Sequence, residues 1–219
     1  MPLPLIPVAI AAGVAVVAGG IALAVPKAMR PLKGKRIAVL GARGVGKTTL
    51  LQILRDRRVP TRKKGSTDPA PKGLFSMEVE RKPVDFAVPN NVSGNGGLGF
   101  PVWKEEFKRS DFVWYLFRAD LIAQGDTATL EDVREHLDMF KAWLDSGKSK
   151  RPKIILIGTF SDKAVTSEFS LEDLTHVVAE AAPIKAGVAK LNNAGLVFGS
   201  LASKRESAKL IKRLGGELK

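Results

Sequence analysis

The chain has 219 residues, of which 35 are basic and 22 are acidic, so its net charge at neutral pH is +13. It contains no cysteine, which excludes a disulfide framework, thiolate chemistry and cysteine-based zinc sites. Such an excess of positive charge suits either nucleic acid or an anionic membrane surface, and its distribution along the chain helps to decide between them.

The amino terminus is an uncharged apolar segment, since the first charged side chain is Lys27. Residues 3–25 are long enough to cross a hydrocarbon core of about 30 Å as a helix. A cleaved signal peptide would have a basic n-region and a shorter apolar run, and a buried core helix normally has a polar face. We therefore predict one transmembrane helix within residues 1–26.

The basic residues that follow this segment predict its orientation. Five of them occur within residues 27–36, whereas only the terminal amine precedes the apolar run. The positive-inside rule then puts the amino terminus outside and the carboxy-terminal domain in the cytoplasm. Residues 27–34 are predicted to be a short basic linker between the membrane and that domain.

Most of the excess charge lies close to the predicted membrane segment. Residues 27–70 contain thirteen Lys and Arg against two acidic residues, a net charge of +11, and the remainder has only +2. Basic clusters beside a membrane are attracted to anionic headgroups by about 1 kcal/mol per charge. We expect anionic lipid rather than nucleic acid as the partner. For the cluster at residues 55–64, lipid and protein both remain open.

Residues 41–48 read Gly-Ala-Arg-Gly-Val-Gly-Lys-Thr and directly follow an apolar run at residues 37–40. This is the phosphate-binding pattern G-x-x-x-x-G-K-[ST] in a strand–turn–helix context. The glycines let backbone N–H groups face a phosphate, Lys47 adds a positive charge, and the Thr48 hydroxyl can ligate Mg²⁺. The alternative is a glycine-rich turn that binds nothing. The motif predicts a nucleoside-phosphate site.

Apolar runs alternate with helical patterns over residues 35–219, which predicts one α/β domain with a largely parallel sheet. The predicted strands are residues 36–40, 74–80, 83–88, 112–117, 153–158 and 196–198. The second and third strands are expected to form an antiparallel hairpin.

Helices are predicted over residues 48–55, from Thr129 with Asp132 as its capping partner, from about residue 170, and over 203–215 with a capping box. The glycine- and asparagine-rich residues 89–101 are predicted to form a loop. His136 and His176 fall within the helices and are expected to be surface or partly buried side chains.

The order and spacing of these features resemble the Ras-like branch of P-loop GTPases over residues 35–214. The opening Gly-Ala-x-Gly-Val-Gly-Lys-Thr-Thr is the form common in that family. The resemblance implies a three-layer P-loop fold with helices on both faces of the sheet, and GTP or GDP with Mg²⁺ as ligands. One transmembrane helix before such a domain is similar in layout to the signal-recognition-particle receptor β subunit.

The resemblance also implies a base-reading site. Asp162 matches the family's base-reading aspartate, whose carboxylate accepts two N–H donors from guanine, whereas adenine presents no such pair. Thr159 and Phe160 stand where the family has Asn and Lys, and Phe160 would cover the base with an apolar ring. The alternative for Asp162 is an ordinary turn carboxylate. The nucleotide-contacting residues implied are Gly41, Arg43, Gly44, Val45, Gly46, Lys47, Thr48, Thr49, Gly94, Thr159, Asp162, Lys163, Ser200, Leu201 and Ala202.

The sequence departs from the family where hydrolysis is concerned. The family's Asp-x-x-Gly corresponds to residues 91–94, Asn-Val-Ser-Gly, so the glycine is kept and the carboxylate is lost. No glutamine follows to orient a water, and Asn95 is the candidate for that role. Slow intrinsic hydrolysis is therefore predicted.

Two further residues bear on catalysis and on the metal. Arg43 stands at a P-loop position that is glycine in Ras. It could stabilise γ-phosphate charge, block the attacking water or point into solvent, and the solvent interpretation is favoured. Thr67 is favoured over Thr61 as the switch threonine and would ligate Mg²⁺ together with Thr48.

The leading hypothesis is a membrane-anchored GTP-binding protein that acts as a switch or an assembly module with a protein partner. One alternative is a P-loop ATPase in which Asp120, after the apolar residues 112–117, imitates a Walker B acid. No second catalytic glutamate follows directly, which weighs against a motor-type ATPase. The other alternative is a scaffold that binds nucleotide without hydrolysing it.

Overall fold

The computed structural model describes residues 34–56, 73–79, 82–88, 99–146, 151–192 and 194–218. Six strands and eight helices occur within this part of the chain, in an α/β arrangement that confirms the predicted class. The elements in chain order are β1 (Lys35–Leu40), α1 (Lys47–Asp56), β2 (Gly73–Val79), β3 (Lys82–Val88), α2 (Phe100–Arg109), β4 (Phe112–Arg118), α3 (Ala119–Ala123), α4 (Thr127–Asp145), β5 (Lys153–Thr159), α5 (Ser161–Ala164), α6 (Leu171–Glu180), α7 (Ala182–Lys190), β6 (Gly195–Phe198) and α8 (Lys204–Gly216).

The strands form one sheet in the order β2-β3-β1-β4-β5-β6. β2 pairs with β3 in antiparallel register, as predicted, and the other pairs are parallel. The direction in which the chain adds strands reverses at β1, which has β3 on one side and β4 on the other. In open α/β sheets, ligands bind beyond the carboxyl ends of the strands at such a point. The loop at residues 41–46 leaves β1 there.

Helices cover both faces of the sheet because side chains alternate along each strand. On one face, Trp114 and Ile155 pack with apolar residues of α1 and α8. On the other, Tyr115 and Leu156 pack with α2, α4 and α6. β4 and β5 are therefore buried on both sides, which explains their nearly continuous apolar sequences.

Some predicted helix boundaries are wrong. α4 begins at Thr127, because Asp126 and not Thr129 is its N-cap: the Asp126 side chain accepts a bond from the Thr129 N–H at 2.8 Å. α2 and α7 were not predicted, and α2 starts at Phe100, inside the predicted loop of residues 89–101. Ser203 caps α8 as predicted, but the Glu206 carboxylate accepts from Lys209 instead of completing a capping box.

Several predictions lie outside the described residues. These are the transmembrane helix at 1–26, the linker up to residue 33, most of the basic cluster at 55–64, and the site candidates Thr67, Gly94 and Asn95. Among the helices of the described ranges, none combines the length and apolar character that a membrane crossing requires.

Candidate functional site

The loop between β1 and α1, residues 41–46, is a tight turn whose backbone requires glycine, and it is called the glycine loop below. Gly41, Gly44 and Gly46 have φ values of 138°, 81° and 95°, which side-chain-bearing residues rarely adopt. At Gly41 a Cβ would also lie 2.3 Å from the backbone oxygen of Leu116, so β4 approaches the loop too closely for any side chain. The glycines that the motif supplies are therefore used for local geometry as well as for access to a ligand.

Lys47 is the first residue of α1, and its side chain folds back over the loop. Its Nζ donates to the carbonyl oxygens of Gly41 at 2.6 Å and Ala42 at 2.7 Å. Burial lowers the pKa of Lys47 from 10.5 to about 8. The first N–H groups of α1 lack intrahelical partners, so the ammonium and the helix N-terminus together form an anion-attracting end to the loop.

Thr159 ties this loop to the centre of the sheet. It ends β5, is buried, and its Oγ1 lies 2.9 Å from the carbonyl oxygens of both Val45 and Phe117. A hydroxyl has one hydrogen, so it donates to one of these oxygens at a time. Thr159 was predicted to contact a base. In the structure its hydroxyl connects the glycine loop with β4, and its backbone is the last residue of β5.

Asp162 and the residues after β6 are brought together, although they leave different strands. The Ser200 hydroxyl donates to Asp162 Oδ1, and the Ala202 N–H donates to Ser200 Oγ at 3.0 Å. Ser200 is buried and Asp162 is exposed. Within the described part of the chain, Asp162 Oδ2 has no hydrogen-bond partner. The carboxylate is thus oriented by a buried serine and presents one oxygen to the surface.

The neighbouring loop contains a strained aromatic residue. Phe160 has left-handed backbone angles, φ 60° and ψ 30°, which are unusual for a bulky side chain. The Arg118 guanidinium carbon lies 4.2 Å from the Phe160 ring centroid, and Lys163 Nζ lies 5.0 Å from it. Arg118 in turn donates from Nε and NH2 to the buried carboxylate of Asp120 at 2.7 and 2.5 Å. The contacts of Arg118 with Phe160 and Asp120 were not predicted from the sequence.

The other predicted site residues that the structure describes lie at or near the same end of the sheet. Arg43 is exposed, and Thr48 and Thr49 are partly buried in the first turn of α1. Leu201 packs against Gly46, where a Cβ would lie 3.0 Å from Leu201 Cδ1. The loops after β1, β5 and β6 therefore meet through side-chain contacts.

Metal-binding side chains are not clustered in the described ranges: no group of three or more His, Cys, Asp or Glu residues there could hold an ion. Among the described residues, Thr48 is the predicted ligand for a Mg²⁺ ion at the loop, and phosphate oxygens and water commonly supply further ligands of Mg²⁺. A surface cavity of about 540 Å³ lies elsewhere, between α6, β6 and α8, and is lined by none of the predicted site residues.

His136 differs from its prediction. It is buried on α4, and its Nδ1 shares a hydrogen bond with the Tyr115 hydroxyl at 2.9 Å. Its ring also packs against Phe100 and Trp103 of α2. Burial lowers the pKa of His136, so the imidazole is neutral at physiological pH and acts as a core residue. His176 is exposed, as expected.

Comparison with known proteins adds no assignment. No family model matches the chain, and no curated protein matches it either.

Proposed function

We propose that this chain is a membrane-anchored guanine-nucleotide-binding protein similar to Ras-like GTPases. It would act as a nucleotide-dependent switch or assembly module at the cytoplasmic face, with slow intrinsic GTP hydrolysis. The observation that carries the proposal is the junction of three loops at one end of the sheet. Thr159 bonds to Val45 in the glycine loop, and Asp162 bonds to Ser200.

The glycine loop would bind the phosphates. The positive φ values of its three glycines are of the kind that lets backbone N–H groups face a bound phosphate, and the dipole of α1 favours negative charge there. Lys47, now bonded to Gly41 and Ala42, is close enough to exchange those carbonyl partners for phosphate oxygens. The Thr48 hydroxyl would contribute to Mg²⁺ binding.

Asp162 would read the base. Its oriented carboxylate can accept hydrogen bonds from the ring N–H and the exocyclic amine of guanine. Ser200 donates to one carboxylate oxygen and so fixes the direction of the other. Adenine offers an acceptor where guanine offers the ring N–H, so its binding would leave the carboxylate without a donor.

Slow turnover is supported by residue types. Asn91 replaces the charged residue that would hold the magnesium water shell, and no glutamine follows it. Arg43, the other candidate for a part in hydrolysis, is exposed on the glycine loop. A nucleotide-bound scaffold is the limiting case in which hydrolysis is absent.

The ATPase alternative has less support because Asp120 is already engaged. It is buried, and both its carboxylate oxygens accept hydrogen bonds from Arg118, beside the Phe160 ring. To hold a magnesium water it would have to leave this pair, and a buried carboxylate is costly to leave without its cationic partner.

Identification of the nucleotide that co-purifies with the full chain tests the proposal. We expect mass spectrometry to find GTP or GDP in the wild type and little in Lys47→Ala. Lys141→Ala is the matched control, since Lys141 is a surface lysine of α4 that pairs with Asp145. Recovery of adenine nucleotides would favour the ATPase instead.

The assignment of guanine as the base is tested by a second experiment. In Asp162→Asn, the Ser200 hydroxyl can still donate to the amide oxygen, so this hydrogen bond is kept. The second carboxylate oxygen, which would accept from guanine, is replaced by an amide nitrogen that donates. We expect GTP affinity to fall at least about tenfold and xanthosine triphosphate, which has a carbonyl in place of the amine, to bind better. Unchanged GTP affinity, or equal affinity of the wild type for GTP and ATP, would contradict the guanine assignment.

A further inference from the structure

We infer that Arg118 is a positioning residue for the nucleotide base, which together with Asp120 holds Phe160 as a stacking platform. This inference rests on the proposed function. It concerns a contact between β4 and the loop after β5 that no sequence motif assigns.

The first step is the strain at Phe160. A left-handed backbone is unfavourable for a residue with a side chain, and it persists only where the surroundings enforce it. The local backbone bonds contribute to that enforcement, since Ser161 N–H donates to Gly199 O at 3.3 Å and Lys163 N–H to Phe160 O at 3.0 Å. The strained angles set the direction of the ring, one residue from the buried Thr159 and two from Asp162.

The second step is the fixed cation on this ring. The Arg118 side chain is only 24% exposed and that of Asp120 only 2%, and two parallel hydrogen bonds lock the guanidinium plane. A planar guanidinium at 4.2 Å from a ring centroid makes a cation–π contact. Arg118 therefore cannot leave the ring without breaking a buried ion pair.

The third step concerns the part of the Phe160 ring that is left for a ligand. Lys163 also approaches the ring, but it is an exposed, flexible side chain that a planar base can displace. Phe160 lies on the same loop as Asp162, so a base whose edge meets the carboxylate can stack on the aromatic surface that Arg118 does not occupy. Stacking on an aromatic ring is tolerant of base identity, so Phe160 would supply affinity and Asp162 selectivity.

The test compares a ligand that has a base with one that has none. We measure the affinities of the full chain for Mg·GTP and for Mg·tripolyphosphate by calorimetry or competition. We expect Arg118→Ala to weaken GTP about fivefold and Phe160→Leu about tenfold, with tripolyphosphate unchanged in both. Arg109→Ala is the control, since Arg109 pairs with Glu105 on the surface of α2 and should leave both affinities unchanged.

A double variant tests whether Arg118 acts through Phe160. If it does, Arg118→Ala adds little to the loss already caused by Phe160→Leu, because the shared contact is removed once. Losses that multiply, an equal loss of tripolyphosphate affinity, or no loss for Arg118→Ala would each overturn the inference.

Arg118→Ala leaves a buried carboxylate without its partner, so the paired change Arg118→Ala with Asp120→Ala provides a second variant should the first fail to fold. We expect the same selective loss of GTP affinity from it. Failure of the proposed function would look different: the wild type would then bind GTP no better than ATP, or bind neither.

Discussion

Lys47 lies in an environment that is unfavourable for a cation. Its ammonium is stabilised by two backbone carbonyls, but burial removes water from it and lowers its pKa to about 8. A phosphate beside the ammonium favours the charged form, so binding should raise this pKa and take up a proton above pH 8. If the loop binds phosphates as proposed, the protonation state of Lys47 should therefore change when an anion binds.

This linkage predicts a pH dependence for nucleotide binding. Only the protonated Lys47 attracts the phosphates, so Mg·GTP affinity should be close to its maximum at about pH 7, about twofold lower at about pH 8, and should then fall by up to about tenfold per pH unit. Titrations from pH 7 to 9.5 measure it. Lys47→Arg is the control, because its guanidinium stays charged and its weaker affinity should not change with pH. A flat profile for the wild type would contradict the prediction.

At the scale of the elements, Thr159 connects three of them through one hydroxyl. Its acceptors belong to the glycine loop and to β4, and the bond to Val45 spans 114 residues of sequence. The geometry of the glycine loop thus depends on a side chain of a distant strand.

We predict that Thr159→Val, which keeps the shape and removes the hydroxyl, lowers the free energy of unfolding by about 1–3 kcal/mol. The cause is that the carbonyl groups of Val45 and Phe117 then lose the hydroxyl that donates to them. The variant should also weaken tripolyphosphate binding, since the loop loses its attachment to β5. Denaturant unfolding and calorimetry measure the two effects, and Thr159→Ser should restore most of both. Wild-type stability in Thr159→Val would mean that the hydroxyl contributes nothing to holding the loop.

β4 and β5 were predictable from the sequence because strands that are buried on both faces consist almost entirely of apolar residues. The helices that were missed show the opposite case. α2 turns Glu106 inward beside Trp103 and Phe107, so its apolar stripe is interrupted by a carboxylate. α7 packs Gly187 against α4, where a Cβ would lie 2.3 Å from Leu137 Cδ1. The two helices can approach each other closely here because residue 187 has no side chain, and a glycine does not add to an apolar pattern.

The same distinction applies to the site. The glycine loop was predictable because all its parts are contiguous, and Asp162 and Ser200 were predictable through the family resemblance. The contacts of Arg118 with Phe160 and of Thr159 with Val45 join residues far apart in sequence. No local pattern marks such pairs, since they follow from strand register: Arg118 is paired with Thr159 where β4 and β5 end.

At the scale of the whole molecule, the arrangement of charge bears on the proposed membrane anchor. The net charge of +11 over residues 27–70 surrounds the glycine loop in sequence, and β1 begins at Lys35. An eight-residue linker reaches at most about 28 Å when fully extended. If residues 1–26 span the membrane, the domain is therefore held close to the headgroups, where basic side chains are attracted to anionic lipid.

The predicted topology can be tested by labelling, because the chain has no cysteine and one introduced cysteine reacts without background. In sealed membranes with the cytoplasmic face outward, an impermeant maleimide should label Ala208→Cys, an exposed position on α8, at once. Pro2→Cys should be labelled only after detergent, because the apolar residues 3–25 separate the two positions. Labelling of both without detergent would contradict a spanning segment, and the reverse pattern would contradict the orientation. Extraction at high salt and high pH is the control, since a chain held only by its basic residues would be released and a spanning helix would remain.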